Sequence, residues 1–271
     1  MLYITGTPIG NLEDITLRQL NILKTADLIA AEDTRHSIKL LNHYGISTKM
    51  TSYHSHTSDA KTDKLIEMLQ QGKNIALITD SGMPIISDPG ADIVSRCHAL
   101  SIPVTTVPGP SALISALVLS GFDASAFSFY GFLNKKQKKD TSFLLKEDKT
   151  IILYEAPHKL KETIKALHLG LGPERKIAVV REITKRYEEV LRLTLSEALT
   201  YYDQKETIQG EFVLVIEPQK IEKELNQTPI PQQIEIYIQK GLTKKEAIKQ
   251  VAKDMNLPKS EVYKETIGNT D

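Results

Sequence analysis

Four short stretches in the first 112 residues combine residue types that do chemistry with positions at the end of an apolar run. Thr5-Gly6-Thr7-Pro8-Ile9-Gly10-Asn11 follows Leu2-Tyr3-Ile4. Glycine and proline at a strand exit let a ligand reach the backbone. Ala31-Glu32-Asp33-Thr34-Arg35 follows Asp27 to Ala31 and sets three charged groups within four positions. Such charges are costly to bury unless paired. The stretch reads either as a helix N-terminus, with acids at the positive dipole end, or as a substrate or catalytic loop. Thr79 to Gly90 (TDSGMPIISDPG) follows Asn74 to Thr79 and holds two Gly, two Pro and the apolar Met83, Ile85 and Ile86. A rigid, partly apolar loop of this kind suits an adenine-and-sulfur ligand better than a free phosphate. Val107-Pro108-Gly109-Pro110-Ser111-Ala112 is the third Gly/Pro turn, with small Ser111 and Ala112 where a ligand could approach closely. Ligands of open α/β sheets bind outside the carboxyl ends of the strands, so three such turns together say more than any one.

Two charged strand exits follow in the second half, Tyr154-Glu155-Ala156-Pro157-His158-Lys159 and Arg181-Glu182-Ile183-Thr184-Lys185. Lys135, Lys136, Lys138 and Lys139 form a basic run after Gly131-Phe132-Leu133. It reads as a solvated loop or as a phosphate contact. Other chemistries lack their signatures. No G-x-G-x-x-G is present, and Gly72-Lys73 lacks the rest of a Walker A motif. There is no G-x-S-x-G nucleophile elbow. His54-Ser55-His56 would place two imidazoles on one strand face, but with no third ligand nearby no metal site is expected. The single cysteine, Cys97, excludes a disulfide framework and fits a reducing compartment.

These residues need a scaffold, and the pattern supplies one. Over residues 1–120 short apolar runs alternate with helical spacings, among them Thr16–Lys24, Ile38–Tyr44, Asp63–Gln71 and Asp92–Leu100. Gly45 and Gly72 stand where helices close. Alternation of this kind predicts a mostly parallel sheet covered by helices. Residues 121–220 predict a second α/β sheet with antiparallel members, from the runs at Phe127–Tyr130, Thr150–Tyr154, Ala178–Val180, Glu189–Thr194 and Gly210–Ile216. The polar stretch 219–229 reads as a linker. Residues 226–271 predict a small helix-turn-helix unit with a capping box at Thr243-Lys244-Lys245-Glu246. The expected division is therefore 1–120, 121–220 and 226–271.

Composition agrees with a globular chain of two α/β domains and a small third. There are 271 residues, 41% apolar and 25% charged. Lys plus Arg and Asp plus Glu number 34 each, so any nucleic-acid binding must use local patches. No apolar run reaches the roughly 18 residues of a membrane span. The N-terminal residues lack a signal-peptide pattern, which leads us to expect a cytoplasmic protein.

The ordered set of motifs is similar to one enzyme family. It comprises Leu2 to Leu12, Ala31 to Arg35, Ile86 to Gly90, Val107 to Ala112, Gly131 to Leu133, Tyr154 to His158, Arg181 to Lys185 and Gly210 to Ile216. The chain resembles the ribosomal RNA small subunit methyltransferase I family, within the tetrapyrrole methylase (class III methyltransferase) superfamily. The resemblance spans nearly the whole chain. It implies two α/β domains, a homodimer, no metal, and S-adenosylmethionine-dependent 2′-O-ribose methylation of a cytidine in the decoding region of 16S rRNA in the small ribosomal subunit.

Carried over by position, the resemblance implies cofactor contacts from Pro8, Ser81, Gly82, Met83, Ile86, Ser111, Ala112, Glu155 and Ile183. Where tetrapyrrole relatives hold Gly-Asp-Pro, this chain reads Gly82-Met83-Pro84, which removes a carboxylate from the second cofactor loop. Ribose methylation needs in-line positioning and gains from a base. Asp33 or Glu32 is the expected base, with Arg35 holding the neighbouring carboxylate or a phosphate and Lys185 as competitor. Lys135, Lys136, Lys138, His158, Lys159 and Arg181 are expected to position RNA. Two other readings stay open: a small-molecule methyltransferase of the same fold, and a non-catalytic RNA-binding module of ribosome assembly.

Overall fold

A computed structural model describes residues 1–55, 57–218, 229–239, 242–255 and 257–267. His56 and nearly all of the expected linker lie outside the described residues. The chain divides into two compact units, 1–219 and 220–271.

The first unit carries two five-stranded sheets. Strands β1 (Leu2–Thr5), β2 (Leu28–Ala31), β3 (Met50–Ser52), β4 (Ile75–Ile78) and β5 (Val104–Val107) form the first, in the order β3-β2-β4-β1-β5. Every pairing is parallel, and β1 lies between β4 and β5. The inner strands β1, β2 and β4 are short and largely apolar because helices cover both faces. Leu2, Ile4, Ala30, Ile75 and Leu77 pack on one side with α3 (Asp59–Gln70) and α4 (Ala91–Ala99). Ile29, Ala31, Ala76 and Ile78 pack on the other with α1 (Leu17–Thr25) and α2 (Thr34–His43). The helices start where local chemistry dictates. Thr16 and Gln19 form a capping box on α1, and Asp33 caps α2 through the backbone N–H of Arg35.

The second sheet contains β6 (Phe127–Phe132), β7 (Thr150–Glu155), β8 (Lys176–Arg181), β9 (Glu189–Thr194) and β10 (Phe212–Ile216), in the order β6-β7-β10-β8-β9. Only β6 and β7 pair in parallel; the other three pairings are antiparallel, as the alternation suggested. The α5 helix (Ala112–Ser120) follows the last strand of the first sheet, yet its Leu113, Ala116 and Leu117 pack on the second sheet against Ile152, Ala178, Val180, Val213 and Val215. After the short α6 (Lys135–Lys139), helices α7 (Leu160–Leu171) and α8 (Leu195–Asp203) bury the opposite face, around Leu153, Val179 and Leu214.

The second unit has helices α9 (Ile230–Gln239), α10 (Lys244–Asp254) and α11 (Lys259–Ile267) around Ile234, Ala247, Val251 and Val262. The Thr243–Glu246 capping box forms as expected, with the Thr243 hydroxyl 2.6 Å from Glu246 Oε2. No helix among the described residues is long and apolar enough to cross a membrane.

Candidate active site

The three Gly/Pro turns leave neighbouring strands β1, β4 and β5 at the same edge, and they touch. The Thr7 N–H donates to Gly82 O at 2.9 Å, and the Gly82 N–H donates back to Thr7 O at 3.1 Å. The Thr7 hydroxyl donates to Thr79 O at 3.1 Å. Gly6 packs so tightly that an added Cβ would lie 2.8 Å from both Gly109 Cα and Met83 Sδ. Glycine is required here for approach, not for backbone angle. In the middle turn Gly82, Ile85 and Ser87 take φ values of 80°, 78° and 69°. For β-branched Ile85 this is a strained conformation, of the kind retained where it places functional groups.

These turns, with the β7 and β10 ends of the second sheet, line a cleft of about 320 Å³, within the size range of small-molecule sites. Of the nine cofactor contacts expected from the sequence, eight line it: Ser81, Gly82, Met83, Ile86, Ser111, Ala112, Glu155 and Ile183. Pro8 does not; it faces a separate recess of about 150 Å³ with Leu12, His36 and Asp80. Its neighbour Ile9 takes the place on the cleft wall. Asp88, Phe132, Tyr154 and Phe212 also line the cleft and had been given no role there. Phe132 and Tyr154 meet edge to face at 5.6 Å between centroids.

The expected catalytic residues separate. Asp33 is bound by Arg35 through Nε at 3.1 Å and Nη2 at 2.7 Å. The Arg35 side-chain and backbone hydrogen bonds hold the Asp33 carboxyl down at about 2, which makes it a poor proton acceptor. Asp33 therefore acts as a helix cap and Arg35 as its partner, and neither lines the cleft. Glu32 instead accepts a hydrogen bond from the Thr79 hydroxyl at 2.5 Å. Lys185 Nζ lies 2.9 Å from both Glu182 and Glu211. Burial works against its charge, but these hydrogen bonds outweigh it and raise the Lys185 pKa, which favours the ammonium form.

The expected RNA contacts also separate. Lys135, Lys136, His158 and Lys159 are exposed. Lys138 is not: it is buried against Glu155, with Nζ 2.6 Å from Oε2, and is withdrawn from any surface contact. The Asn134–Gln137 capping box fixes α6 so that Lys138 turns inward while its neighbours stay in solvent. Arg181 spends its Nε on Gln209 O at 2.7 Å.

Asp88 is the group that the sequence reading passed over. It sits half-buried at the cleft beside Glu32, Thr79 and Asp80. Burial first, then the Glu32 charge, raises its carboxyl to about 6, against a hydrogen bond from Thr79 that lowers it. Among the described residues no group of three His, Cys, Asp or Glu could hold a metal ion.

A parallel sheet with three ligand-accepting turns, joined to a mixed sheet across an apolar cleft, is the architecture of a methylase. The Tetrapyrrole (Corrin/Porphyrin) Methylases profile matches residues 1–199, and the chain belongs to that family. Within it, the chain groups with the proteins called ribosomal RNA small subunit methyltransferase I. The Bacillus subtilis (strain 168) protein of that name is 47% identical over 97% of this chain and 92% of its own length. Solved structures agree on the fold. A diphthine synthase superposes with a TM-score of 0.61 at 13% identity, covering 80% of this chain and 89% of that one. The uroporphyrin-III C-methyltransferase of Thermus thermophilus, complexed with S-adenyl homocysteine, superposes with a TM-score of 0.54 at 17% identity, covering 79% and 96%.

Proposed function

We propose that this chain transfers the methyl group of S-adenosylmethionine to the 2′-hydroxyl of a cytidine in the decoding region of 16S rRNA. The observation that carries this reading is the pairing of end-to-end similarity to the rRNA methyltransferase relatives with eight expected contacts lining one cleft.

The cleft fits such a cofactor. Its walls at Ile9, Met83, Ile86 and Ile183 are apolar, as an adenine ring and a thioether chain require. Ser81, Gly82, Ser111 and Ala112 are small, so backbone groups stay within reach of polar edges. Glu155 lines the wall, but its carboxylate is already held by Lys138, Thr163 and the Ala156 N–H. It therefore shapes the wall and leaves polar recognition to other groups. When bound, the cofactor supplies an electrophilic methyl group. The chain's own work is to align the acceptor hydroxyl with it and to exclude water.

RNA positioning falls to the exposed Lys135, Lys136, His158 and Lys159, with Arg181 in support, and binding should weaken as salt rises. The same reading includes a homodimer in the bacterial cytoplasm, with the exposed Ile114 and Val118 of α5 as its contact. The test is methyl transfer from labelled S-adenosylmethionine to small subunits from cells lacking the protein. Label in 2′-O-methylcytidine is expected. Label in a small molecule alone would favour the small-molecule reading, and bound cofactor without transfer would favour the assembly module.

A further inference from the structure

The Thr79 hydroxyl stands between two carboxylates. It lies at the end of β4, is 2% exposed, and sits 2.5 Å from Glu32 Oε2, to which it donates. It is also the hydrogen-bond partner of Asp88. A hydroxyl has one proton to give and two lone pairs with which to accept. That one proton cannot serve both carboxylates at once, so Thr79 couples them: while it is given to Glu32, the ionised Asp88 goes without a donor that would favour its charge.

We infer that Asp88 accepts the proton of the methyl-acceptor hydroxyl, with Thr79 and Glu32 as the pair that positions its carboxylate. The inference rests on the methyltransferase reading above and names the base that the reading lacks. The geometry favours Asp88 over the other carboxylates of this edge. Of Glu32, Asp33, Asp80 and Asp88, only Asp88 lines the cleft. It shares that stretch of wall with Met83, Ser87 and Tyr154. Asp33 is committed to Arg35, and Asp80 accepts the Asp33 N–H at 3.2 Å and faces His36 at 3.8 Å.

The step balances. The acceptor oxygen forms its bond to the methyl carbon while the electron pair of the sulfur–methyl bond returns to sulfur, leaving a neutral thioether. The acceptor's proton moves to the Asp88 carboxylate, which can then donate to Thr79 Oγ. The groups facing Asp88 are the Glu32 and Asp80 carboxylates and the Tyr154 phenol. Among the described residues no cation contributes to its charge balance. Burial, then crowding by like charge, explains a carboxyl at about 6, ionised at neutral pH yet basic enough to take a proton.

The test uses the full-length protein with Asp88→Asn, Thr79→Val and Thr79→Ser. Asp88→Asn should lose roughly 100- to 10,000-fold in kcat, the usual contribution of a positioned base, while S-adenosylhomocysteine affinity changes by less than about 3-fold. Thr79→Val should lower kcat and move the acidic limb of the pH–rate profile, and Thr79→Ser should restore both. A readout independent of turnover is urea unfolding. A neutral residue at 88 should raise the midpoint at pH 8, and the gain should shrink below about pH 6 and fade toward about pH 3, where Asp88 is mostly protonated in both states. An Asp88→Asn enzyme as fast as the parent, or an equal midpoint shift at both pH values, would overturn the assignment. If the parent itself labels no ribosomal subunit, it is the methyltransferase reading that fails, and the base falls with it. An active parent with an equally active variant sinks the base alone.

Discussion

The ammonium of Lys138 sits 2.6 Å from Glu155 Oε2, and both side chains are closed to solvent at 4% and 2% exposure. The Thr163 hydroxyl donates to the same oxygen, and the Ala156 N–H donates to the other at 2.8 Å. The Glu155 carboxylate is therefore hydrogen-bonded at both oxygens, which helps a buried ion pair to be tolerated. Lys138→Ala would strand a buried carboxylate beside the cleft. The expected loss is roughly 3–5 kcal/mol, read from urea unfolding. Replacing both partners, Lys138→Met with Glu155→Leu, should recover much of it. A loss within about 0.5 kcal/mol for Lys138→Ala, typical of surface sites, would refute the burial.

Asp33 gives a pH-dependent prediction. Its carboxyl is depressed to about 2 by Arg35, below its ordinary value of 3.8. A depressed acid stabilises the fold above its unfolded pKa, and that contribution is lost as pH falls through the folded one. Asp33→Asn should therefore be less stable than the parent at pH 7, with the gap closing between about pH 4 and pH 2. Because Asp33 caps α2 away from the cleft wall, turnover should stay within about 3-fold of the parent, a change of under 1 kcal/mol in barrier. A drop of two orders of magnitude would return Asp33 to the chemistry.

Gly6 tests whether these turns hold the cofactor. Its missing Cβ is what lets Gly109 and Met83 close on the first turn. Gly6→Ala must push one of the two away, at a cost of about 1–3 kcal/mol for an overpacked site. S-adenosylhomocysteine affinity measured by calorimetry should fall at least tenfold, about 1.4 kcal/mol, with the fold retained. Unchanged affinity would mean that these turns do not hold the cofactor.

The α5 helix tests the dimer. Ile114 and Val118 are 45% and 70% exposed on a helix with no charged residue. Val118→Glu should convert a dimeric species to a monomer in sedimentation, because a buried unpaired charge is costly at an interface. A parent that sediments as a monomer at micromolar concentration would remove the proposal.

Much of this was legible in the residues. Apolar runs such as Ile75–Ile78 and Phe212–Ile216 could only be strands buried on both faces, and both are. The three turns were legible because glycine and proline mark chain reversals wherever they cluster. What periodicity could not carry was direction across the cleft. Pro8 and Ile9 are adjacent, yet only Ile9 reaches the wall, because the β1 turn rolls as it bonds to Gly82. Lys138 looks like its three neighbours in sequence, and its inward phase follows from the Asn134 cap and a carboxylate 17 residues away. Asp88 stood inside a recognised motif, but its basicity comes first from burial and then from the Glu32 charge, both of which only the fold supplies. Local rules fix element type; charge environments depend on strand order.

The placement of α5 decides how the cleft can move. Its first residue, Ala112, and the preceding Ser111 wall the cleft, while Leu113, Ala116 and Leu117 are sunk in the core of the second sheet. The helix is a rivet: one end belongs to the pocket's floor, the shank to the opposite half. Spreading the two sheets would tear apolar packing out of that core. Ligand traffic must then run through the outer lip, where Ile86 and Ser87 face solvent. A slot of fixed width sorts guests by thickness, admitting a flat base and a slim chain and turning away anything that needs the walls to part.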